Sequence, residues 1–307
     1  MSVDVPPRPR PQPSVVDAIG NTPLVRLLLP GIPAGVEIWG KCEWRNPGGS
    51  VKDRTALSLV TEGERSGALG PGKIVIDSSS GNTAVGLALV GSAKGYVVEL
   101  VMPENVSPEK KARCLAYGAR IVATDAFSGS DGAMLRVREM VAREPKRYFY
   151  ADQYRNPANP LAHYRTTGPE LWQQTGGRIT HFVAGLGTTG TVVGTGRYLH
   201  ERNPRVRIVA VEPDEPLHGL EGLKHMASAL VPEVYDRTVE NEKVTVSTEA
   251  GVAACAAARE ATGMQLGRSA GAALHAARSV ASGLSHGLVV VLFPDAGEAR
   301  PSGHDHR

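Results

Sequence analysis

Short runs of β-branched and other apolar residues alternate with longer amphipathic stretches along most of the chain, and this alternation constrains the fold more than any other feature. The short runs predict strands at 37–41, 73–77, 97–102, 120–123, 181–184, 207–212 and 288–293. Stretches with helical periodicity predict helices at 54–66, 83–94, 108–117, 130–143, 189–200, 248–260 and 271–281. Continuous apolar runs such as 289–293 are typical of parallel strands buried on both faces. The sequence therefore predicts an α/β fold, in which ligand-binding groups follow the carboxyl ends of the strands.

The length of 307 residues indicates about two domains, because ordinary domains contain ~150 residues. The segment 155–160, rich in Asn and Pro, predicts a loop that serves as a boundary or hinge between two lobes. The 34 basic and 31 acidic residues of the whole chain are interspersed and give a net charge of +3. This charge is too weak and too diffuse for a nucleic-acid-binding surface. Aromatic residues make up only 5%, so broad stacking surfaces for single-stranded nucleic acid are not expected.

The termini, the cysteines and the apolar runs bear on the compartment. No apolar run approaches the ~20 residues of a membrane-spanning helix, and the longest, 84–93, is followed by Lys94. Residues 1–13 are rich in proline and lack the apolar core of a signal peptide, so we expect them to form a disordered arm. We expect residues 301–307 to form a disordered tail. Cys42, Cys114 and Cys255 are scattered, odd in number and without metal-ligand spacing. We therefore expect a cytoplasmic protein that neither holds a metal nor binds a membrane.

Two loops carry groups that suit an aldehyde and a carboxylate. In 46–54, Lys52 lies where a helix is predicted to begin, and the partial positive charge of a helix N-terminus makes a lysine easier to deprotonate. A neutral amine is what forms a Schiff base with an aldehyde. In 78–83, hydroxyls and backbone N–H groups can hold a carboxylate, and Asn82 can bind a phenolic oxygen. Taken alone, these loops are also typical of a solvated helix start and of an N-capped helix.

Two further loops lie between a strand and a helix. In 185–191, glycines allow close approach to a phosphate and threonines supply hydroxyl donors. Gly185, Gly187 and Gly190 also satisfy the G-x-G-x-x-G pattern of dinucleotide-binding proteins, with Glu212 at the end of the next predicted strand, so this loop alone does not exclude a dehydrogenase. In 267–273, small residues and Ser269 suit a ligand ring or, equally, a helix N-cap.

The order and spacing of these loops resemble the cysteine synthase family of fold-type-II pyridoxal-phosphate enzymes, which includes cystathionine β-synthase. The similarity runs from Gly20-Asn21-Thr22-Pro23-Leu24 to Phe293-Pro294-Asp295-Ala296-Gly297-Glu298. It implies that Lys52 is the catalytic residue and carries the cofactor as an internal aldimine, that Asn82 faces the ring oxygen and that Ser269 bonds the ring nitrogen. The phosphate would be held by Gly187, Thr188, Thr189, Gly190 and Thr191. The substrate would be bound by Ser79, Ser80, Gly81, Asn82, Thr83, Gln153 and Gly222.

The resemblance also implies an architecture and a reaction. The fold would have two domains, each an open and mostly parallel sheet with helices on both faces: 47–156 with Lys52 and the substrate loop, and 14–46 plus 157–300 with the phosphate loop and Ser269. The enzyme would be a transferase that replaces the β-substituent of O-acetyl-L-serine or O-phospho-L-serine with sulfide or a sulfide equivalent, giving L-cysteine through an aminoacrylate intermediate. Lys52 would act as the general base. The alternatives are homocysteine or an amine as nucleophile and, more remotely, the NAD-dependent dehydrogenase, which leaves Lys52 and Ser79–Thr83 unexplained.

Several positions distinguish this chain within the resemblance. The stretch 219–226 is similar to the branch of cysteine synthase B and O-phosphoserine-dependent enzymes, in which a cation at Lys224 would recognise a phosphate leaving group; the alternative is a surface lysine. Ser79 and Ala84 replace the family's usual threonine and glycine, and Arg268 stands where an apolar residue or glycine is common. The ending at 298–301 departs from the family and would leave the active-site mouth more open. As partners, the resemblance implies a homodimer, a small-molecule sulfur donor and a sulfur-carrier protein.

Overall fold

The computed structural model describes residues 14–297, so the predicted arm at 1–13, the tail at 301–307 and the ending at 298–301 lie outside the described residues. The strands are β1 (Leu24–Leu27), β2 (Val36–Cys42), β3 (Ile74–Ser78), β4 (Val97–Pro103), β5 (Arg120–Thr124), β6 (Tyr148–Tyr150), β7 (His181–Gly185), β8 (Arg207–Pro213), β9 (Glu242–Val246) and β10 (Gly287–Phe293). The helices are α1 (Lys52–Arg65), α2 (Asn82–Ala93), α3 (Pro108–Ala116), α4 (Gly129–Arg143), α5 (Ala158–Arg165), α6 (Thr167–Gln174), α7 (Gly190–Arg202), α8 (Thr248–Thr262) and α9 (Arg268–Ser282).

The strands form two sheets. One has six strands in the order β1-β2-β10-β7-β8-β9, and the other has four in the order β5-β4-β3-β6. Every pairing is parallel except that of β1 with β2. The predicted α/β fold with mostly parallel sheets is therefore confirmed. The strands of the smaller sheet all lie within 74–150, whereas the predicted domain limits of 47–156 and 14–46 with 157–300 stay a prediction.

Burial on both faces explains why the central strands are continuous apolar runs. Val289, Val290 and Val291 of β10 are all fully buried, and alternate residues enter two different apolar clusters on the two faces of the larger sheet. The smaller sheet likewise separates two clusters, with α1 and α2 packed on one face and α4 on the other. Parallel strands covered by helices on both sides require this composition.

All the strands and helices that periodicity predicts are present, with ends shifted by a few residues. Periodicity misses β1, β6 and β9, which are short or lie at a sheet edge, where few apolar residues are needed. It also misses α5 and α6. The predicted loop at 155–160 is wrong beyond Pro157, because Ala158, Asn159 and Pro160 form the first turn of α5. Proline is tolerated there because the N–H groups of a first helical turn have no partner within the helix.

Loops from different parts of the chain meet at one edge of the larger sheet. Pro294, directly after β10, accepts a hydrogen bond at 2.8 Å from the Val51 N–H, just before α1. The carbonyl of Leu186, after β7, accepts one at 2.8 Å from the Lys224 N–H. Because parallel strands end at the same edge, the ends of β7 and β10 bring these loops together. Across residues 14–297, no helix combines the length and the apolar character needed to cross a lipid bilayer.

Candidate active site

A cleft opens where these loops meet. All four chemically suggestive loops contribute to its wall. The residues of the predicted site that lie in this wall are Lys52, Asn82, Gly187, Thr188, Thr189, Thr191, Gly222 and Ser269. Of the other predicted residues, Gly190 is the first residue of α7, and Ser80 lines a neighbouring open cavity. The two cavities share Glu221, which forms an ion pair with Lys110 of α3.

Lys52 is the first residue of α1, and its side chain is half-buried in the cleft wall. Burial lowers the pKa of its amine, while the carboxylates of Asp295 and Glu43 oppose that shift. Removing a charge from a low-dielectric site favours the neutral form, so the amine is easier to deprotonate than a lysine in water. Burial, and not the helix terminus on which the sequence prediction was based, is the main cause of this shift. A neutral amine can act as a nucleophile or a base.

A buried ion cluster fixes the first turn of α1. Arg54 donates from Nε and Nη2 to Glu43 at 2.7 and 2.9 Å, and from Nη1 and Nη2 to Glu170 at 2.6 and 2.7 Å. Lys41 donates to Glu170 at 2.6 Å. Burial alone would raise the pKa of Glu170, but Arg54 and Lys41 lower it to about 2. The cluster joins β2 and α6 to the helix that carries Lys52, and it therefore sets where that lysine lies.

The loop before α7 has the properties of an anion cradle. Thr189 has a left-handed backbone, with φ of 69°, a conformation that costs a residue with a Cβ ~1–3 kcal/mol. Its buried hydroxyl has no hydrogen-bond partner among the described residues. A side chain at Gly187 would collide with the Gly222 carbonyl, and one at Gly190 with Asn159. A strained turn, an unpartnered hydroxyl and the free N–H groups that begin α7 together suit a phosphate.

The dinucleotide alternative fails at Glu212. A dinucleotide-binding fold would require this carboxylate for ribose hydroxyls. In the structure, Glu212 is buried, accepts a hydrogen bond at 3.0 Å from the Met226 N–H, and forms an ion pair at 3.5 Å with Lys243. Glu212 therefore holds the segment after Gly222 in place, and the G-x-G-x-x-G pattern does not indicate a dehydrogenase here.

Asn82 and Ser269 lie on other walls of the same cleft, each at the start of a helix. The amide of Asn82, the first residue of α2, donates to the carboxylate of Asp295 at 2.7 Å. Burial raises the pKa of Asp295, and the bond from Asn82 opposes that shift. Ser269, the second residue of α9, is 5% exposed. Arg268 beside it is exposed and donates to the Gly219 carbonyl at 3.5 Å, so its charge faces solvent.

The predicted substrate loop, Ser79–Thr83, follows β3. Ser79 accepts a hydrogen bond from the Gly81 N–H at 3.3 Å, which shapes the turn before α2. Thr83 and Gln153 are both buried, and the Thr83 hydroxyl donates to the Gln153 side-chain oxygen at 2.6 Å. Because that oxygen is occupied, the NH₂ group of Gln153 remains to donate to a carboxylate. The structure thus brings together residues that the sequence places 70 positions apart.

Lys224 lies beside the cleft and not in its wall. Its ammonium group stacks over the ring of Tyr154, 5.0 Å from the ring centroid. Burial lowers the pKa of the Lys224 amine, and the negative charge of Asp131 opposes this shift without cancelling it. Cation–π stacking of this kind is worth ~0.5–2 kcal/mol, so an anion that approached would have to compete with the ring for this cation.

Sequence reasoning missed two residues on α5 that connect parts of the site. Asn159, fully buried, donates to the Gln153 carbonyl at 2.7 Å and to the Thr188 hydroxyl at 3.0 Å, and accepts from Thr55 of α1 at 3.2 Å. The ring nitrogen Nε2 of His163 lies 3.3 Å from the Thr191 hydroxyl. Through these contacts α5 couples the phosphate loop to the helix of Lys52. The local pattern of Asn and Pro indicated only a loop, so it gave no warning of this role.

Comparisons with known proteins agree with this geometry. The family model described as pyridoxal-phosphate dependent enzyme matches residues 15–295. A cysteine synthase of Aquifex aeolicus is 48% identical over 292 residues, which cover 93% of this chain and 89% of that protein. Cysteine synthase B of Escherichia coli is 40% identical over 280 residues, 91% of each chain. The crystal structure of a cysteine synthase from Entamoeba histolytica superposes with a TM-score of 0.90 at 33% identity, covering 97% of this chain and 91% of that one.

Proposed function

The chain belongs to the family of pyridoxal-phosphate dependent enzymes, and on that premise we propose that it makes L-cysteine from an activated L-serine and sulfide by replacing the β-substituent. The observation that carries this proposal is the position of Lys52, an amine with a lowered pKa in the same cleft as the threonine-rich loop before α7. The cysteine synthases similar to this chain support the same reaction, and they do not favour a different nucleophile or a nicotinamide cofactor.

The residues of the cleft fit the cofactor. Its phosphate would be held by the N–H groups at the start of α7 and by the hydroxyls of Thr188, Thr189 and Thr191, of which that of Thr189 has no partner among the described residues. Lys52 would hold the aldehyde carbon, Asn82 the phenolic oxygen and Ser269 the ring nitrogen. When bound, pyridoxal phosphate supplies an electron sink for the α- and β-carbons of an amino acid.

The protein's own groups orient the substrate and move its proton. The Ser79–Thr83 loop and the NH₂ group of Gln153 bind the substrate carboxylate, and the Gly222 carbonyl accepts from its amine. Lys52 Nζ takes the α-proton and returns it to the product, as a general base and then a general acid. The hydrogen bond between Thr83 and Gln153 keeps the loop close to the β6 end of the smaller sheet.

Product analysis tests the proposal. Purified holoenzyme is mixed with O-acetyl-L-serine or O-phospho-L-serine and sulfide, and the products are identified by mass spectrometry. We expect L-cysteine with at least one donor, loss of activity when the cofactor is removed, and recovery when pyridoxal phosphate is restored. If neither donor gave cysteine, while homocysteine gave cystathionine, the proposed nucleophile would be wrong.

Lys224 bears on the choice of leaving group, and we propose that it assists a phosphate. Replacing one charged hydrogen-bond partner costs ~1.5–3 kcal/mol, so we expect Lys224→Ala to lower kcat/KM for O-phospho-L-serine by roughly tenfold or more relative to O-acetyl-L-serine. Lys94→Ala is the control, because Lys94 follows α2 at the end far from the cleft and pairs with Glu64. An unchanged ratio of the two donors in Lys224→Ala would show that the lysine serves only to stack on Tyr154.

We further propose that the enzyme is a homodimer in the cytoplasm, supplied with sulfur by sulfide or by a sulfur-carrier protein. The family relation supports the dimer, and sedimentation of the purified protein tests it. The cysteines support a reducing compartment, because all three are free thiols and two of them, Cys42 and Cys114, are buried.

A further inference from the structure

Asp77 is a buried acid directly beneath the substrate loop, and the reaction described above gives it no part. It is the fourth residue of β3, and its side chain is fully excluded from solvent. Ser78 ends the strand, and Ser79–Thr83 follow at once. An ionised carboxylate in such a position is costly unless a cation or several hydrogen bonds compensate it.

A hydrogen bond of Asp77 supports one side of the predicted carboxylate clamp, which we define as Ser79–Thr83 together with Gln153. Its Oδ1 accepts from the Ser78 N–H at 2.7 Å, at the root of the loop. The backbone N–H of Gln153 faces the same carboxyl group. Since Gln153 accepts from Thr83, Asp77 braces the root of the loop and also adjoins the other part of the clamp.

The surroundings of Asp77 favour its neutral form. No described lysine, arginine or histidine forms an ion pair with it, and its Oδ2 is buried without a hydrogen-bond partner in the described chain. The facing groups come from β6 and the turn after it: Tyr150, whose hydroxyl is also buried and unpartnered, and the carboxylate of Asp152. Tyr154 lies further along this turn. The positive charge of Arg138, on α4, opposes the rise in pKa that burial causes at Tyr150 and Asp152. Burial, with a contribution from Asp152, raises the pKa of Asp77 to about 8.

We propose that Asp77 is a positioning residue whose neutral form lets the clamp hold the substrate carboxylate, and whose ionised form weakens that binding. The neutral acid braces Ser78, at the root of the loop, without adding charge. Once ionised, it places a negative charge behind a site that must bind another negative charge, and the two repel across a poorly solvated path. This inference rests on the proposed function, in which the clamp binds an amino-acid carboxylate.

Asp77→Asn tests the proposal, because asparagine keeps the shape and one acceptor oxygen but cannot ionise. KM for the amino-acid donor is measured from about pH 6 to about pH 9 in wild-type and variant holoenzymes. We expect the ratio of wild-type to variant KM to rise by roughly fivefold or more across this range, as repulsion between nearby charges predicts. The amine of the substrate, the cofactor and Lys52 titrate in both enzymes, so the ratio isolates position 77. A ratio that stays flat would overturn the proposal.

A second variant tests the role of Asp77 while residue 77 remains an aspartate. Asp152→Asn removes a repelling carboxylate, so Asp77 should ionise more easily and the rise of KM should begin at a lower pH than in the wild type. Asn suits this position, where the backbone φ is 47°. A rise that began at the same or a higher pH would contradict the role given to Asp77.

Stability supplies a readout that needs no substrate. The folded pKa of Asp77 lies above its unfolded value, so the native state binds an extra proton and loses stability as the pH rises from about 4 to about 8. We therefore expect Asp77→Asn to gain thermal stability relative to the wild type across that window, and a difference independent of pH would contradict the proposal. If neither enzyme made cysteine while this difference still appeared, the proposed function would fail and the titration of Asp77 would stand.

Discussion

Lys52→Ala is expected to lower kcat for cysteine formation by at least about a thousandfold, because one side chain holds the cofactor and also moves the proton. Within the described part of the chain, Lys52 is the only lysine in the cleft wall, so no neighbouring amine replaces it. Its Nζ makes no hydrogen bond to a described residue, and the fold should therefore lose little stability. Turnover is measured with saturating donor and sulfide, and unfolding is followed by circular dichroism.

Lys73→Ala is the matched control for Lys52→Ala. Lys73 precedes β3 at the end of the strand opposite the cleft, and its ammonium group donates to the Ala68 carbonyl. We expect turnover within about twofold of the wild type in this variant, as for most surface substitutions. Borohydride reduction followed by peptide mass mapping gives a readout besides activity: the cofactor mass should appear on the peptide with Lys52 and be absent from Lys52→Ala. A variant that kept more than a few per cent of wild-type turnover would disprove the role of this amine.

Arg54→Leu is expected to lower the free energy of unfolding by ~3–5 kcal/mol, the cost of leaving buried charge without its partner. Arg54 is 2% exposed and Glu43 is fully buried, so water cannot replace the lost hydrogen bonds. Urea denaturation measures the change through the transition midpoint at a constant m-value. Because α1 begins at Lys52, we also expect the variant to bind the cofactor more weakly.

The loss of folding stability at low pH provides a further test of the Arg54 cluster. Glu170 has a folded pKa below its unfolded value, so it contributes stability at neutral pH that is lost as the pH falls from about 4.5 to about 2. Arg54→Leu should show a shallower loss over this window. Arg65→Leu, on the same helix, is the control: the Arg65 side chain is 71% exposed and its partner Glu62 keeps a second ion pair with Arg165, so we expect a change within about 0.5 kcal/mol. Equal losses in the two variants would show that the buried cluster contributes no more than a surface pair.

The elements that the sequence predicts well are those whose pattern is local. β10 is a continuous apolar run, β3 begins with three apolar residues, and α1 and α2 follow turns rich in Gly, Ser and Asn, so periodicity and turn chemistry identify them. β6 is different. Its three residues form a strand because Tyr148 pairs with Ile74 in β3, and no window around them carries that information.

The residues of the predicted site also divide into those that a local sequence pattern identifies and those that it does not. The residues of the four loops were identifiable because glycines, hydroxyls and one lysine occur together between strands and helices. Lys224 was assigned from the resemblance of 219–226 to one branch of the family, and only the structure shows that its ammonium group lies over Tyr154, beside the cleft wall. Asn159 shows the converse: an ordinary residue in an apparent loop bonds to Thr188, Gln153 and Thr55.

By itself, the sequence determined the α/β class, the order of the main strands and helices, and the residue types available to bind a carboxylate, a phosphate and an aldehyde. The tertiary structure alone decided which of those groups meet and which carry a shifted pKa. Asn82 bonds to Asp295 across 213 positions, and Arg54 to Glu170 across 116. The physical reason is that periodicity and turn preferences act between near neighbours, whereas burial and hydrogen bonding depend on what packs against a residue from elsewhere in the chain.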